Sequence, residues 1–114
     1  MSDRKAFALK YFVDLDKQNL NMVMKEARLI AYLNSDEMVQ CHELFYFNKK
    51  VFVILEFMDQ GSMEGIVTQY HENFTENFCR YTLYKVAMGL SKMHRANVLH
   101  RDIKSDNILY SSDG

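Results

Sequence analysis

The chain is 114 residues long, carries a net charge of −1 and contains two cysteines. This length suits about one ordinary domain, and a nearly neutral chain with scattered Lys and Arg lacks the basic surface expected for a nucleic-acid partner. The longest apolar run, residues 51–55, is too short to span a bilayer, so we expect no membrane partner. Cys41 and Cys79 lie far apart without metal-ligand spacing, which favours a reduced, cytoplasmic compartment.

The first predicted element is a strand over residues 6–13, which is apolar and aromatic. The strand period of two puts Ala8, Lys10 and Phe12 on one face. A lysine on that face needs an anionic partner, unless it is a solvated lysine at a sheet edge.

A helix is predicted from about residue 19 to 33, because Leu20, Val23, Ala27 and Ile30 recur at helical spacing. Glu26 falls within this apolar arc at about 100° per residue. A carboxylate among apolar neighbours is costly unless it is paired, and Lys10 offers the opposite charge. The alternative is a surface glutamate at the edge of the stripe.

Residues 38–45 and 51–57 predict two strands, and residues 46–50 between them read as a hairpin turn. Ser62 can cap a short helix, and Thr75 can cap a longer one that ends near Ala96 and Asn97. The buried stripe predicted for the longer helix is Cys79, Leu83, Val86, Leu90 and Met93. A short strand at 108–110 and a turn at 111–114 complete an α+β chain.

Residues 100–107 read His-Arg-Asp-Ile-Lys-Ser-Asp-Asn and carry the strongest chemical signal. Asp102 is placed to accept the proton of an attacking serine or threonine hydroxyl and to orient that hydroxyl. Lys104 can offset charge on a transferring phosphate, and Asn107 offers a neutral oxygen suited to Mg²⁺. We expect His100 to pack and Arg101 to brace the loop. The spacing fits neither a structural zinc site nor a calcium-binding loop.

This stretch resembles a protein-kinase catalytic loop. Residues 7–10, Phe-Ala-Leu-Lys, resemble the kinase strand motif whose lysine holds the α- and β-phosphates of ATP, and Glu26 resembles the helix glutamate that pairs with that lysine. The resemblance to a eukaryotic protein kinase covers essentially the whole chain. It implies an incomplete two-lobe fold, with residues 1–58 as part of the small lobe and hinge and residues 59–114 as the start of the large lobe.

The same resemblance implies an ATP site along the chain. Residues 56–62 resemble the hinge that binds adenine through its backbone, although a plain strand-to-turn transition explains them locally as well. The implied catalytic residues are Asp102 and Lys104, and the implied Mg²⁺ ligand is Asn107. The implied ATP-binding positions are Ala8, Lys10, Glu26, Leu55 as gatekeeper, Glu56 through its carbonyl, Met58 through its N–H, Ser62 at the ribose and Leu109 beneath adenine.

Lys104 points to serine/threonine specificity within this family. Residues 103–109 together with residues 59–63 resemble the STE group, the kinases of mitogen-activated cascades and their GTPase-activated relatives. The implied function is ATP-dependent phosphorylation of protein serine or threonine hydroxyls. The implied partners are a protein substrate and an upstream regulator.

Two family features fall outside the chain. No glycine precedes Lys10, where a kinase has its Gly-rich loop, and the sequence stops before an Asp-Phe-Gly motif. We therefore expect the chain to be inactive in isolation and marginally stable. The alternative is a short non-catalytic kinase-like protein that binds a partner through exposed apolar surfaces.

Overall fold

The computed structural model describes residues 5–13 and 15–113. Strands and helices are mixed along the chain, as an α+β fold requires. The strands are β1 (Phe7–Phe12), β2 (Cys41–Phe47), β3 (Lys50–Glu56), β4 (Gly61–Ser62) and β5 (Leu109–Tyr110), and the helices are α1 (Lys17–Tyr32), α2 (Met63–Tyr70) and α3 (Glu76–Arg95). The chain forms two compact units, Met1–Phe57 and Met58–Gly114.

The first unit contains an antiparallel three-stranded sheet in the order β1-β3-β2. The predicted hairpin is confirmed, and its turn is made by Asn48 and Lys49, whose φ values are 48° and 58°. Two consecutive positive φ angles match the twist of a tight two-residue hairpin, and asparagine tolerates this conformation. Strand β2 begins at Cys41, three residues later than the pattern predicted, and its register shifts between Cys41 and Glu43.

Helix α1 packs on one face of this sheet. Ala27 of the helix and Val51 and Val53 of β3 are buried, and they form the centre of the core. The predicted apolar face of α1 is confirmed, since Leu20 and Val23 pack against this core. The partly buried side chains around the three central residues are Phe12, Leu15, Leu20, Val23, Met24, Cys41, Leu44 and Leu55.

The start of α1 differs from the prediction by two residues. Asp16 has extended backbone angles, and its Oδ1 accepts a hydrogen bond from the N–H of Asn19 at 2.7 Å. This cap satisfies one of the amides that a helix N-terminus leaves without an intrahelical partner. The helix therefore begins at Lys17, three residues before Leu20, the first residue of its apolar stripe.

The second unit contains α2 and α3, and both predicted caps are confirmed. Ser62 Oγ accepts from the N–H of Gly65 at 3.2 Å, and Thr75 Oγ1 accepts from the N–H of Phe78 at 3.2 Å. The predicted buried stripe of α3 is wrong at Leu83, which is 67% exposed. The buried residues of α3 are Thr82 and Gly89, which lie along the same stripe as the half-buried Cys79, Val86, Leu90 and Met93, whereas Leu83 lies at its edge.

The end of α3 also follows the sequence prediction. The N–H of Asn97 donates to the carbonyl of His94 at 3.0 Å, and the N–H of Val98 donates to that of Met93 at 2.9 Å. Together with a φ of 58° at Asn97, these bonds form a Schellman motif, in which a left-handed residue terminates the helix.

Strand β5 returns beside β4, and the turn predicted at 111–114 is described as far as Asp113, while Gly114 lies outside the described residues. The hydroxyl of Tyr110 in β5 shares a 2.7 Å hydrogen bond with Thr82 Oγ1 of α3. Phe78 stacks on Tyr110 with ring centroids 5.2 Å apart. Among the described helices, none has the length and apolarity needed to cross a membrane.

Candidate active site

The loop that follows α3 has a strained backbone at Arg101, whose φ of 67° lies in the left-handed region. Such a conformation costs a side-chain-bearing residue on the order of 1 kcal/mol, so neighbouring contacts must maintain it. One such contact is local, because the N–H of Asp102 donates to His100 Nδ1 at 3.3 Å. The expectation that His100 packs is wrong, since its side chain is exposed and acts as a hydrogen-bond acceptor within the loop.

Asp102 and Asn107 are joined by two hydrogen bonds. Asn107 Nδ2 donates to the backbone carbonyl of Asp102 and to its Oδ2, both at 2.9 Å. Lys104 Nζ lies 3.7 Å from the same Oδ2. All three side chains are exposed, so a ligand that arrives from solvent can contact each of them. The structure therefore brings the three predicted residues of this loop together around one carboxylate.

The side-chain oxygen of Asn107, Oδ1, is a candidate ligand for a Mg²⁺ ion. Because Nδ2 makes both bonds to Asp102, the Oδ1 atom points elsewhere and accepts no hydrogen bond from the described residues. A neutral amide oxygen is a ligand that hard cations accept. Within residues 5–13 and 15–113, no three His, Cys, Asp or Glu side chains are grouped as metal ligands. The Oδ1 atom of Asn107 thus has the chemistry of one Mg²⁺ ligand.

The end of the loop rests on α2, a contact that sequence reasoning missed. Ser105 Oγ donates to Glu64 Oε2 at 2.6 Å, and the N–H of Met63 donates to the carbonyl of Ile108 at 2.8 Å. Glu64 and Ser105 are 41 positions apart, and both lie in the second unit. No periodic pattern links an exposed glutamate to a loop serine at that distance along the chain.

A second polar contact closes the β4-β5 pair. Ser112 donates from its N–H to Asp59 Oδ1 at 2.8 Å and from its hydroxyl to Asp59 Oδ2 at 2.6 Å. Gln60 Nε2 adds a bond to Oδ2 at 3.1 Å. The side-chain hydrogen bond from Ser112, followed by its backbone N–H, lowers the pKa of Asp59 from its ordinary value.

The first unit places Lys10 and Glu26 at one small cavity. Its volume is about 50 Å³, enough for little more than a water molecule, and Phe12 and Leu55 also line it. Ala8 lies opposite Leu55 in the β1-β3 register, so these two positions share the face that carries Lys10.

The predicted ion pair between Lys10 and Glu26 does not form among the described side chains. Lys10 Nζ instead lies 5.0 Å from the centroid of the Phe12 ring. Glu26 is exposed, which corrects the expectation of a carboxylate enclosed by apolar neighbours. An exposed carboxylate and an exposed ammonium both remain hydrated, and an ion pair between such groups adds only about 0–1 kcal/mol.

The other predicted ATP-binding positions lie around the strand ends. Glu56 at the end of β3 is held by Gln40, because its N–H donates to the Gln40 carbonyl at 2.8 Å and its Oε2 accepts from the Gln40 N–H at 3.3 Å. In the second unit, the carbonyl of Met58 accepts from the N–H of Gly61 at 3.2 Å. Ser62 and Leu109 are register partners in the β4-β5 pair, and Leu109 is 39% exposed.

Comparison with known proteins identifies the family. The protein kinase domain matches residues 1–114. The chain is 33% identical over 101 residues to Serine/threonine-protein kinase pakA of Dictyostelium discoideum, covering 88% of this chain and 8% of that protein. It is 32% identical over 103 residues to Serine/threonine-protein kinase PAK 5 of Rattus norvegicus, covering 90% and 14%. The chain therefore belongs to the protein kinase domain family, and its α+β fold is that of part of such a domain.

A third relative has a different name from these two kinases. The chain is 33% identical over 90 residues to Aurora/IPL1-related protein kinase 2 of Caenorhabditis elegans, covering 79% of this chain and 29% of that protein. The chain thus spans less than a third of the length of each of the three curated relatives.

Proposed function

We propose that this chain carries the catalytic loop and part of the ATP site of a protein serine/threonine kinase. The observation that carries the proposal is the pair of 2.9 Å hydrogen bonds from Asn107 Nδ2 to Asp102. These bonds hold a carboxylate and a free amide oxygen at fixed positions on one exposed loop, where both can contact a bound nucleotide and substrate. Membership of the protein kinase domain family supports the same reaction.

Three residues of the loop have roles in phosphoryl transfer, namely Asp102, Lys104 and Asn107. Asp102 orients the attacking hydroxyl and accepts its proton as the new oxygen–phosphorus bond forms and ADP leaves. Lys104, beside Asp102 at 3.7 Å, offsets negative charge on the transferring group. Asn107 would hold Mg²⁺ through Oδ1, since its Nδ2 is bonded to Asp102. The bound ion supplies positive charge that neutralises the phosphates.

The ATP-binding positions are proposed for each unit by itself. On β1, Lys10 holds the α- and β-phosphates, and Glu26 is its partner in the nucleotide-bound state. Ala8 and Leu55 lie opposite each other in the sheet register and line the adenine site, with Leu55 as gatekeeper. The remaining proposed contacts are the Glu56 carbonyl and Met58 N–H to adenine, the Ser62 side chain to the ribose, and Leu109 beneath the base.

The finer classification also belongs to this proposal. Residues 103–109 and 59–63 support membership of the STE group, and two of the relatives described above carry serine/threonine-protein kinase in their names. We assign protein serine and threonine hydroxyls as acceptors, an upstream protein as regulator, and the cytoplasm as the place of action.

The test is transfer of labelled phosphoryl groups from ATP to a mixture of protein substrates by the full-length protein. Phosphoamino-acid analysis then separates serine, threonine and tyrosine products. We expect Mg²⁺-dependent label on serine and threonine. Label on tyrosine alone would contradict the assigned specificity, and no transfer from a folded protein at any Mg²⁺ concentration would contradict the reaction.

Partner binding without phosphoryl transfer is a second candidate, favoured by the apolar side chains exposed on α3. Leu83 and Tyr84 are 67% and 61% exposed, although the same helix buries Thr82 and Gly89. Large apolar surfaces of this kind mark contacts with further protein. This candidate predicts that Leu83→Glu abolishes complex formation while Asp102→Asn leaves the biological activity of the protein unchanged.

A further inference from the structure

The contact between Glu64 and Ser105 connects two segments that are distant in sequence. Glu64 lies in the first turn of α2, and Ser105 begins a single 3-10 turn, Ser105–Asn107. The 2.6 Å separation between Ser105 Oγ and Glu64 Oε2 is short, as expected when a hydroxyl donates to an ionised carboxylate. This bond therefore attaches the end of the catalytic loop to a helix.

The 3-10 turn has little support of its own. Its two backbone bonds run from the N–H of Asn107 to the Lys104 carbonyl at 3.0 Å and from the N–H of Ile108 to the Ser105 carbonyl at 3.4 Å. Lys104, which precedes the turn, makes no side-chain capping bond. A 3-10 turn has poorer hydrogen-bond geometry than an α-helix, so an outside contact has a large share in fixing its position.

Helix α2 is a firm support for this turn. Its first turn is capped by Ser62, and a carboxylate at Glu64 is favoured near the positive end of the helix dipole. The N–H of Met63 also binds the carbonyl of Ile108 at 2.8 Å. The turn is thus held at its first residue by Glu64 and just beyond its last residue by Met63.

We propose that Glu64 is a positioning residue for phosphoryl transfer, acting through Ser105. The hydrogen bond to Ser105 sets the orientation of the 3-10 turn, which carries Asn107 at its other end. Asn107 in turn binds Asp102 and offers Oδ1 to Mg²⁺. Glu64 therefore controls the geometry of the carboxylate and the metal ligand although it touches neither. This inference rests on the proposed function, because the effect on rate requires that the loop be catalytic.

The kinetic test compares variants of the full-length protein. Glu64→Ala and Ser105→Ala each lower kcat about 3- to 10-fold, as expected for loss of one hydrogen bond that positions the site. Each also raises the Mg²⁺ concentration that gives half-maximal rate, while the KM for the protein substrate stays unchanged. The double variant is no slower than either single one, and Ser105→Thr, which keeps the hydroxyl, retains the rate. Glu72→Ala is the matched control, since Glu72 is an exposed glutamate in the same unit whose carboxylate lies 4.0 Å from His71 Nε2.

An NMR measurement of amide exchange separates this inference from the proposed function. In Glu64→Ala, the amides of Asn107 and Ile108 exchange about 3- to 10-fold faster than in the parent protein, and those of α3 are unchanged. If the parent protein transfers no phosphate, the proposed function fails, and unchanged exchange then overturns the positioning role as well. If the parent is active, additive losses in the double variant or an unaltered Mg²⁺ requirement overturn the role of Glu64.

Discussion

The side-chain amide of Asn107 binds both the backbone carbonyl and the Oδ2 of Asp102, each at 2.9 Å. One residue thereby fixes the backbone and the carboxylate of the proposed catalytic aspartate. Since the backbone at neighbouring Arg101 is left-handed, this contact also helps to hold a strained segment in place. The same amide leaves Oδ1 directed away from Asp102, where it can bind a cation.

Replacement of Asn107 therefore has two consequences. Asn107→Ala removes both bonds to Asp102 and the proposed Mg²⁺ ligand, and we expect kcat to fall about 10²-fold. Saturating Mg²⁺ restores only part of the rate, because the orientation of Asp102 is lost as well. Steady-state kinetics over a range of Mg²⁺ concentrations measures both effects. Asn77→Ala, on the exposed surface of α3, serves as the control and keeps the parent rate.

The bond between Tyr110 and Thr82 stabilises the second unit. Thr82 is only 3% exposed, so Tyr110→Phe leaves its hydroxyl without this partner and lowers the free energy of unfolding by about 1–2 kcal/mol. Tyr81→Phe removes an equivalent hydroxyl from an exposed ring and changes the free energy of unfolding by less than about 0.5 kcal/mol. Urea denaturation followed by circular dichroism compares the two. Equal effects in the two variants would show that the bond to Thr82 adds no stability.

The lowered pKa of Asp59 predicts how the free energy of unfolding depends on pH. Hydrogen bonds from Ser112 lower this pKa in the folded state, so the contribution to stability is present above the ordinary pKa and is lost as the pH falls through the lowered one. Ser112→Ala returns the pKa of Asp59 toward its ordinary value of about 4. An NMR titration of the Asp59 carboxyl measures this shift. Ser111→Ala, whose hydroxyl serves Asp113 instead, leaves the titration of Asp59 unchanged.

Asn97 is predicted to be a site where glycine stabilises the fold. Its φ of 58° costs less for glycine than for asparagine, so Asn97→Gly raises the free energy of unfolding by a few tenths to about 1 kcal/mol. Ala87→Gly, on the exposed surface inside α3, lowers it by about 1 kcal/mol. Denaturant melts of both variants should therefore shift in opposite directions. A shift in the same direction would mean that the Schellman motif does not end α3 in solution.

Much of the fold was predictable because local chemistry sets it. The caps at Ser62 and Thr75 depend on a hydroxyl beside the first turn of a helix, and both were recognised from the sequence. The alternation along β1 was also recognised, with Ala8 and Phe12 half-buried on the face of Lys10. The loop residues Asp102, Lys104 and Asn107 stood out because few other functions require those side chains at that spacing.

The misses have physical causes of their own. Helical spacing places Leu83 near the apolar stripe of α3 but cannot say which face receives a partner, and Leu83 is exposed. The same spacing placed Glu26 within an apolar arc, although a long side chain there reaches solvent. The bond from Ser105 to Glu64 depends on how two distant segments pack, which no local pattern encodes.

The central claim is that Asp102 takes part in phosphoryl transfer, and the most direct test replaces its carboxylate by an amide of the same shape. The measurement is the kcat for labelled phosphoryl transfer by the full-length protein and its Asp102→Asn variant, with Asp113→Asn as an exposed control in the same unit. The account predicts a loss of about 10²- to 10⁴-fold for Asp102→Asn, unchanged thermal stability and a parental rate for the control. A rate for Asp102→Asn within about twofold of the parent would contradict it.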